Sequence, residues 1–391
     1  MISLLIAIIY LSFISLGLGA SEPLLGSAWP VMQLQMGVPI SFAGIVSMLI
    51  AGSTIISSLL SDRLTRKFGA GVITAVSALM TALALFGFSV SNSFWMLCVL
   101  AIPYGFSCGA IDAALNNYVA LHFASRHMNW LHAFWGVGAA TGPYIMGYCL
   151  TNGMGWNSGY RIVSIIQVIL AVLLFLSLPL WKKPKKISEN DTNDSPVLSL
   201  PQILRIKGVK LILLAFFGYC ALESTAGLWA SSYLVLHRGI NAETAAKYGS
   251  FFFIGLTAGR FLSGLISDKI GSRNMIRLGA GIMIAGIISV FLPVNADWLC
   301  LNGLIIIGLG CAPVYPAVIH ATPANFGKEN SQAIVGVQMA SAYCGSTFMP
   351  PVFGLIAGKI DIGLFPVYLF VFAVLMVVMT ERLNGVVTVQ T

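Results

Sequence analysis

The stretch SLLSDRLTRKFGA, residues 58–70, returns in altered form as GLISDKIGSRNMI, residues 264–276. In each copy an Asp followed by a basic residue, Asp62–Arg63 and Asp268–Lys269, closes a long apolar run. Further basic residues follow about a turn later, Arg66 and Lys67 in the first copy and Arg273 in the second. An apolar run that ends in a charged cluster reads as a membrane helix reaching water on the side where basic residues are retained. Its recurrence implies a chain built from two similar halves.

Predominantly apolar runs of roughly 20 residues, enough to cross a bilayer, can be counted outward from the repeat. Twelve fall at 2–34, 39–60, 71–91, 94–121, 129–152, 159–181, 209–236, 245–267, 274–294, 297–322, 331–357 and 361–381. The longest break, 182–208, opens KKPKK, continues through SENDTNDS and carries Pro184, Pro196 and Pro201. It separates six runs from six, and each copy of the repeat closes the second run of its group. The expected fold is an all-α membrane protein of twelve transmembrane helices in two pseudo-symmetric six-helix bundles, 1–181 and 209–391, joined by a cytoplasmic linker, 182–208.

Composition supports this. Hydrophobic residues make up 58% of the 391 and charged residues 9%, against about 25% charged in soluble globular proteins, which excludes an ordinary soluble enzyme. With the N-terminus inside, sixteen of the 21 Lys and Arg fall on the cytoplasmic side, four fall outside, and Arg260 lies within a run. Topology thus accounts for the net charge of +8 without a nucleic-acid partner. The first basic residue is Arg63, so no secretory signal peptide is expected. The seven cysteines sit in apolar runs without metal-ligand spacing. Neither a Walker loop nor a nucleophile motif is present, so neither enzymatic activity nor a cofactor or metal is expected.

Ionisable groups inside a bilayer are costly and mark functional sites. Of 13 acidic residues, Glu22, Asp112 and Glu223 lie in the middle of apolar runs. Glu22 shares a helical stripe with Ser15, Gly19, Gly26 and Trp29, and Pro23 beside it can loosen the helix and free backbone carbonyls to line a cavity. Asp112 shares a face with Gly105, Cys108 and Asn116, and the next run opens with His132 and Trp135 three apart. An acid, an amide, an imidazole and an indole can bind and stack a polyhydroxylated ring. They could equally close into a structural polar cluster, Asp112 bonding Asn116, His132 or a serine. In the second half Tyr219 and Glu223 share a face; Glu223, the pseudo-equivalent of Glu22, is either a second coupling or substrate group or a structural partner for Gln332, Gln338, Ser341 or Ser346 of the 331–357 run. Arg260 is expected to cap carbonyls or to pair with an acid near the repeat.

The six-plus-six pattern and the loop after the second run of each half resemble the major facilitator superfamily, whose loop motif is G-x-x-x-D-(R/K)-x-G-(R/K)-(R/K). The second copy fits through Gly264, Asp268, Lys269, Gly271 and Arg273, with Ser272 departing; in the first, Ser58 and Thr65 stand where glycine is usual. A carboxylate, Asp112, then N-x-Y-V from Asn116, then N-x-x-H-x-F-x-G-x-G-A from Asn129 is similar to the fucose–proton symporter group. His132 and Trp135 replace two amides of that group, so the resemblance implies a class of solute and not its identity.

The resulting expectation is a secondary transporter, a proton-coupled symporter of a sugar or related small polar solute, working by alternating access. Asp112 is the first choice for proton coupling, with Glu22 and Glu223 beside it. Asn116, His132, Trp135, Trp29, Tyr219 and Gln338 are the expected substrate contacts. Asp62, Arg63, Arg66, Gly264, Asp268, Lys269 and Arg273 form the expected gate. The protein is expected to act as a monomer in the lipid bilayer of the cell inner (plasma) membrane, with both termini cytoplasmic. Two other readings share these features, a proton-coupled exporter of drugs or metabolites and a membrane sensor that does not transport.

Overall fold

The computed structural model describes residues 2–19, 21–39, 42–181, 198–292 and 297–388, and among them every regular element is helical. The helices are α1 (Ile2–Leu18), α2 (Ser21–Met36), α3 (Phe42–Phe68), α4 (Ala70–Ser89), α5 (Phe94–His122), α6 (Ser125–Thr151), α7 (Gly155–Ser177), α8 (Leu200–Arg205), α9 (Val209–Leu236), α10 (Ala242–Ile270), α11 (Ser272–Phe291), α12 (Asp297–Cys311), α13 (Val314–Phe326), α14 (Lys328–Lys359) and α15 (Phe365–Thr388). Most of the expected linker, 182–197, lies outside the described residues; α8 occupies part of its remainder.

Nine stretches among the described residues are long and apolar enough to cross a membrane: α3, α4, α5, α7, α9, α10, α11, α12 with α13, and α15. Length does not set α6 and α14 apart, since they run 27 and 32 residues. Their composition does: beyond the polar openings SRHMNWLH and KENSQ, the Gly, Ser, Thr, Tyr and Pro of GVGAATGPY in α6 and SAYCGSTFMPP in α14 lower the hydropathy. Polar side chains on a spanning helix need protein or water for neighbours rather than lipid.

Two of the expected runs are broken. The first leaves the helical path after Leu18 and resumes at Ser21, so Ser15 and Gly19 do not share one continuous stripe with Trp29. Pro23 sits in the first turn of α2, where its missing N–H costs nothing. The tenth run breaks at Ala312–Pro313, between α12 and α13, because Pro313 cannot donate the helical hydrogen bond.

The repeat stretches end alike. Gly69, between α3 and α4, has φ 82° and ψ 153°, and Gly271, between α10 and α11, has φ 77° and ψ 156°. Positive φ is open to glycine and strained for other residues. The turning glycine of the first copy is therefore Gly69 rather than the position of Thr65, and α3 continues about one turn further past its Asp than α10 does.

The chain divides into two compact units, residues 1–118 with 134–197 and residues 119–133 with 198–391. In the first unit α1 crosses α6 where Gly17 and Gly138 interlock: a Cβ on Gly17 would meet the Trp135 carbonyl oxygen, and one on Gly138 that of Ile14. In the second, a Cβ on Gly308 of α12 would meet the Phe252 carbonyl oxygen of α10. Backbones approach this closely because glycine lets them, the usual way helices associate where lipid gives no hydrophobic drive.

Candidate functional site

In the first unit the Asp112 and Asn116 side chains meet as their spacing predicts. Asn116 Nδ2 donates to Asp112 Oδ1 at 2.7 Å and to the Asp112 carbonyl at 3.0 Å, and both residues are buried. Asn117 is also buried, on a different face of α5. At the break between α1 and α2, side chains of the same unit bond backbone carbonyls; that of Ser15 also keeps its helical bond from the Gly19 N–H at 3.2 Å. Tyr104 donates its hydroxyl to the Gly19 carbonyl, and Gln167 Nε2 donates to the Ser15 carbonyl at 2.8 Å. The carbonyls expected to line a cavity are thus already bonded, by residues whose place in the sequence does not mark them out. Trp29 is buried in an apolar cluster with Leu24, Met32 and Leu97, while Trp135 is half-buried. Glu22 is the second residue of α2, and its side chain lies outside the described residues.

The second unit holds a denser polar network. Tyr219 and Glu223 stand one turn apart on α9, and the Tyr219 hydroxyl bonds Glu223 Oε2. That hydroxyl also lies 2.9 Å from the Cys311 carbonyl at the end of α12. Arg260 of α10, 3% exposed, places Nη2 3.5 Å from Glu223 Oε1. Arg260 therefore pairs with an acid, but with the mid-helix Glu223 and not with one near the repeat. The Tyr315 ring of α13 packs on Phe216 at 4.7 Å and, edge-on, on His132 at 4.6 Å between centroids. His132 lies in the 119–133 segment at the start of α6 and is buried.

Gln338 of α14 is fully buried; its Oε1 accepts from Thr322 Oγ1 of α13 at 2.9 Å, and its Nε2 has no partner among the described residues. Glu223 bonds Arg260 and Tyr219 rather than this amide. His320 Nε2 sits 3.2 Å from the Phe123 carbonyl, a packing role.

The two repeat loops use their acids differently. Asp62, buried, accepts from Arg66 Nε at 2.9 Å along the extra turn of α3, and its Oδ2 has no partner among the described residues. Asp268 reaches the first turn of α6, where it accepts from the Arg126 backbone N–H at 3.0 Å and from Arg126 Nε at 3.2 Å. A carboxylate at a helix N-terminus satisfies orphan donors and complements the helix dipole. Gly264 leaves room there for Trp130, whose indole donates to the Phe261 carbonyl at 3.3 Å. Ser58, in the matching position of the first copy, instead donates to the Gly109 carbonyl of α5 at 3.4 Å. Arg63, Lys269 and Arg273 are exposed.

A family model described as Major Facilitator Superfamily matches residues 11–350. An uncharacterised MFS-type transporter of Bacillus subtilis, YfkL, is 24% identical over 351 residues, 89% of this chain and 86% of that protein. The cis,cis-muconate transport protein of Acinetobacter baylyi is 24% identical over 322 residues, 76% of this chain and 74% of the other. Among solved structures, the FucP transporter in its outward conformation superposes with a TM-score of 0.79 at 16% identity, covering 96% of this chain and 98% of that one.

Proposed function

The chain belongs to the Major Facilitator Superfamily, and from that membership we propose that it is a proton-coupled symporter of a sugar or a related small polar solute. It works by alternating access of two six-helix bundles, 1–181 and 209–391, joined by the 182–208 linker. The chain is a multi-pass membrane protein; we place it in the cell inner membrane as a monomer with both termini cytoplasmic, which puts most Lys and Arg inside.

One observation carries the proton coupling. The Tyr219 hydroxyl has a single hydrogen and two acceptors in reach, Glu223 Oε2 and the Cys311 carbonyl. Both contacts are satisfied together when Glu223 is protonated and donates to the phenolic oxygen, which in turn donates to the carbonyl. When Glu223 ionises, the phenol's hydrogen turns to the carboxylate and the Arg260 guanidinium balances the charge. Glu223 thus has neighbours suited to both of its protonation states, which is what a proton carrier in a membrane requires. Asp112 and Glu22 are the other coupling candidates. His132, Tyr219 and Gln338 in the second unit, and Asn116, Trp29 and Trp135 in the first, are the proposed solute contacts. The relation to a muconate carrier agrees with a polar solute.

The test is uptake of labelled sugars and sugar acids into vesicles under an imposed proton gradient. Accumulation driven by inward proton flow supports symport. Extrusion driven by that gradient identifies an exporter, and movement of no solute in either direction leaves the sensor reading.

A further inference from the structure

The buried cation of the second unit, which meets Glu223 and the Tyr219 hydroxyl, keeps an unused donor. A guanidinium carries five N–H donors in a planar fork. Among the described residues the acid that meets Arg260 is Glu223, through Nη2 alone and at 3.5 Å, longer than the roughly 2.7–2.9 Å of a close charge-assisted bond. The Arg260 Nε is buried without an acceptor among the described residues. A buried donor on a charged group is costly to leave unmet, so the fork is poised for an acceptor supplied from outside the chain. Rings stand around it: Tyr219 stacks on Phe216, Tyr315 packs against both, and His132 packs on Tyr315.

We infer that Arg260 is the binding site for a carboxylate on the transported solute, and that Glu223 takes up one proton when that carboxylate binds. The inference rests on the symport reading above and names its substrate class, a small monocarboxylate whose body lies against the aromatic rings. The balance closes. In the empty site Glu223 carboxylate and Arg260 guanidinium sum to zero charge. One solute carboxylate and one proton enter; the proton forms an O–H on Glu223, the guanidinium passes to the solute, and the loaded site is again neutral. The titratable groups about the pair are Tyr219 on α9, Cys311 on α12, Tyr315 on α13 and His132 on α6, and Glu223 is the acid among them. A loaded site without net charge crosses the bilayer interior at least cost. One proton with one monoanion moves no net charge, so a pH gradient drives accumulation and a membrane potential does not.

Binding to the purified protein is read as a thermal shift with three matched pairs: glucuronate and glucose, galacturonate and galactose, benzoate and benzyl alcohol. At least one carboxylate binds, and its neutral partner binds roughly tenfold more weakly or worse. Arg260→Gln leaves Glu223 without its cation and risks misfolding, so the double variant Glu223→Gln/Arg260→Gln, neutral throughout, is measured beside it. In the double variant the preference for the carboxylate disappears. Neutral partners binding as tightly, no carboxylate binding, or an unchanged preference in the double variant each overturns the inference. The carboxylate that binds is then followed into proteoliposomes under a pH gradient or a potassium–valinomycin potential. Accumulation under the pH gradient alone supports it. Accumulation of a neutral sugar under the potential overturns the carboxylate site and leaves proton symport standing. Arg260-dependent carboxylate binding without accumulation under either gradient supports the site and overturns symport.

Discussion

The two units hold their membrane acids in different company. Asp112 receives its 2.7 Å hydrogen bond from Asn116, one turn along the same helix. Glu223 meets a cation from α10 and shares the Tyr219 hydroxyl with a carbonyl of α12. A bond within one helix travels with that helix as it moves. An arrangement spread over three helices changes when any of them shifts, so protonation and conformation can bias each other there. The difference makes Glu223 the first candidate for the switch and Asp112 the second.

The largest expected effect separates the two. Glu223→Gln removes the charge that Arg260 balances and abolishes accumulation driven by a pH gradient, while downhill exchange survives. Asp112→Asn keeps an oxygen for the Asn116 amide to bond and lowers accumulation by a smaller factor. Uptake and exchange measured side by side in proteoliposomes decide it; the reverse order of severity returns the coupling role to Asp112. A second comparison is thermodynamic. Arg260→Gln alone leaves the half-buried Glu223 without its cation and lowers stability by about 1–3 kcal/mol, and adding Glu223→Gln recovers most of the loss. Additive losses in thermal unfolding would show that the pair is not coupled.

Much of this organisation was legible in the chain. Apolar runs and the basic bias mark the helices because lipid imposes length and composition on any span. Asp112 and Asn116 share a face because helical spacing alone puts them there. The Glu223–Arg260 pair was not legible, since it joins helices distant in sequence and no periodicity reports which faces meet. Gly69 was missed for a related reason. Aligning Asp62 with Asp268 implies equal helix ends, whereas α3 runs on for a further turn, held in part by the Asp62–Arg66 pair that this extra turn makes possible. The role of Tyr104 follows from the break in the first span, which Pro23 signals without indicating what fills it.

The glycine crossings ask whether the units are built to the same tolerance. Gly138→Ala in the first and Gly308→Ala in the second each force a methyl group into a backbone carbonyl of the partner helix. Each is expected to cost about 1–3 kcal/mol, seen as lower thermal stability in detergent. Gly147→Ala meets open space and is neutral or stabilising by up to about 1 kcal/mol through helix propensity. A loss at Gly147 as large as theirs would mean that close approach is not the cause.

The smallest effect is expected at the repeat loops, where the same acid does two jobs. Asp62 is tied within α3, and Asp268 caps the start of α6 through a partly exposed contact with Arg126. Exposed pairs contribute up to about 1 kcal/mol, a change of roughly fivefold in a rate. Asp268→Asn should therefore alter transport rate by a few fold with solute affinity unchanged, because no proposed solute contact is touched. His127 reports the same contact without transport. Burial and the adjacent Arg126 push its imidazole below the ordinary histidine range, and Asp268 pushes it back up. Removing that carboxylate charge takes away a neighbour favouring the protonated ring, so in Asp268→Asn the imidazole stays neutral to a more acidic pH, as an NMR titration would record. A His127 titration that does not move, together with a large loss of solute affinity, would place Asp268 in the binding machinery rather than at the gate.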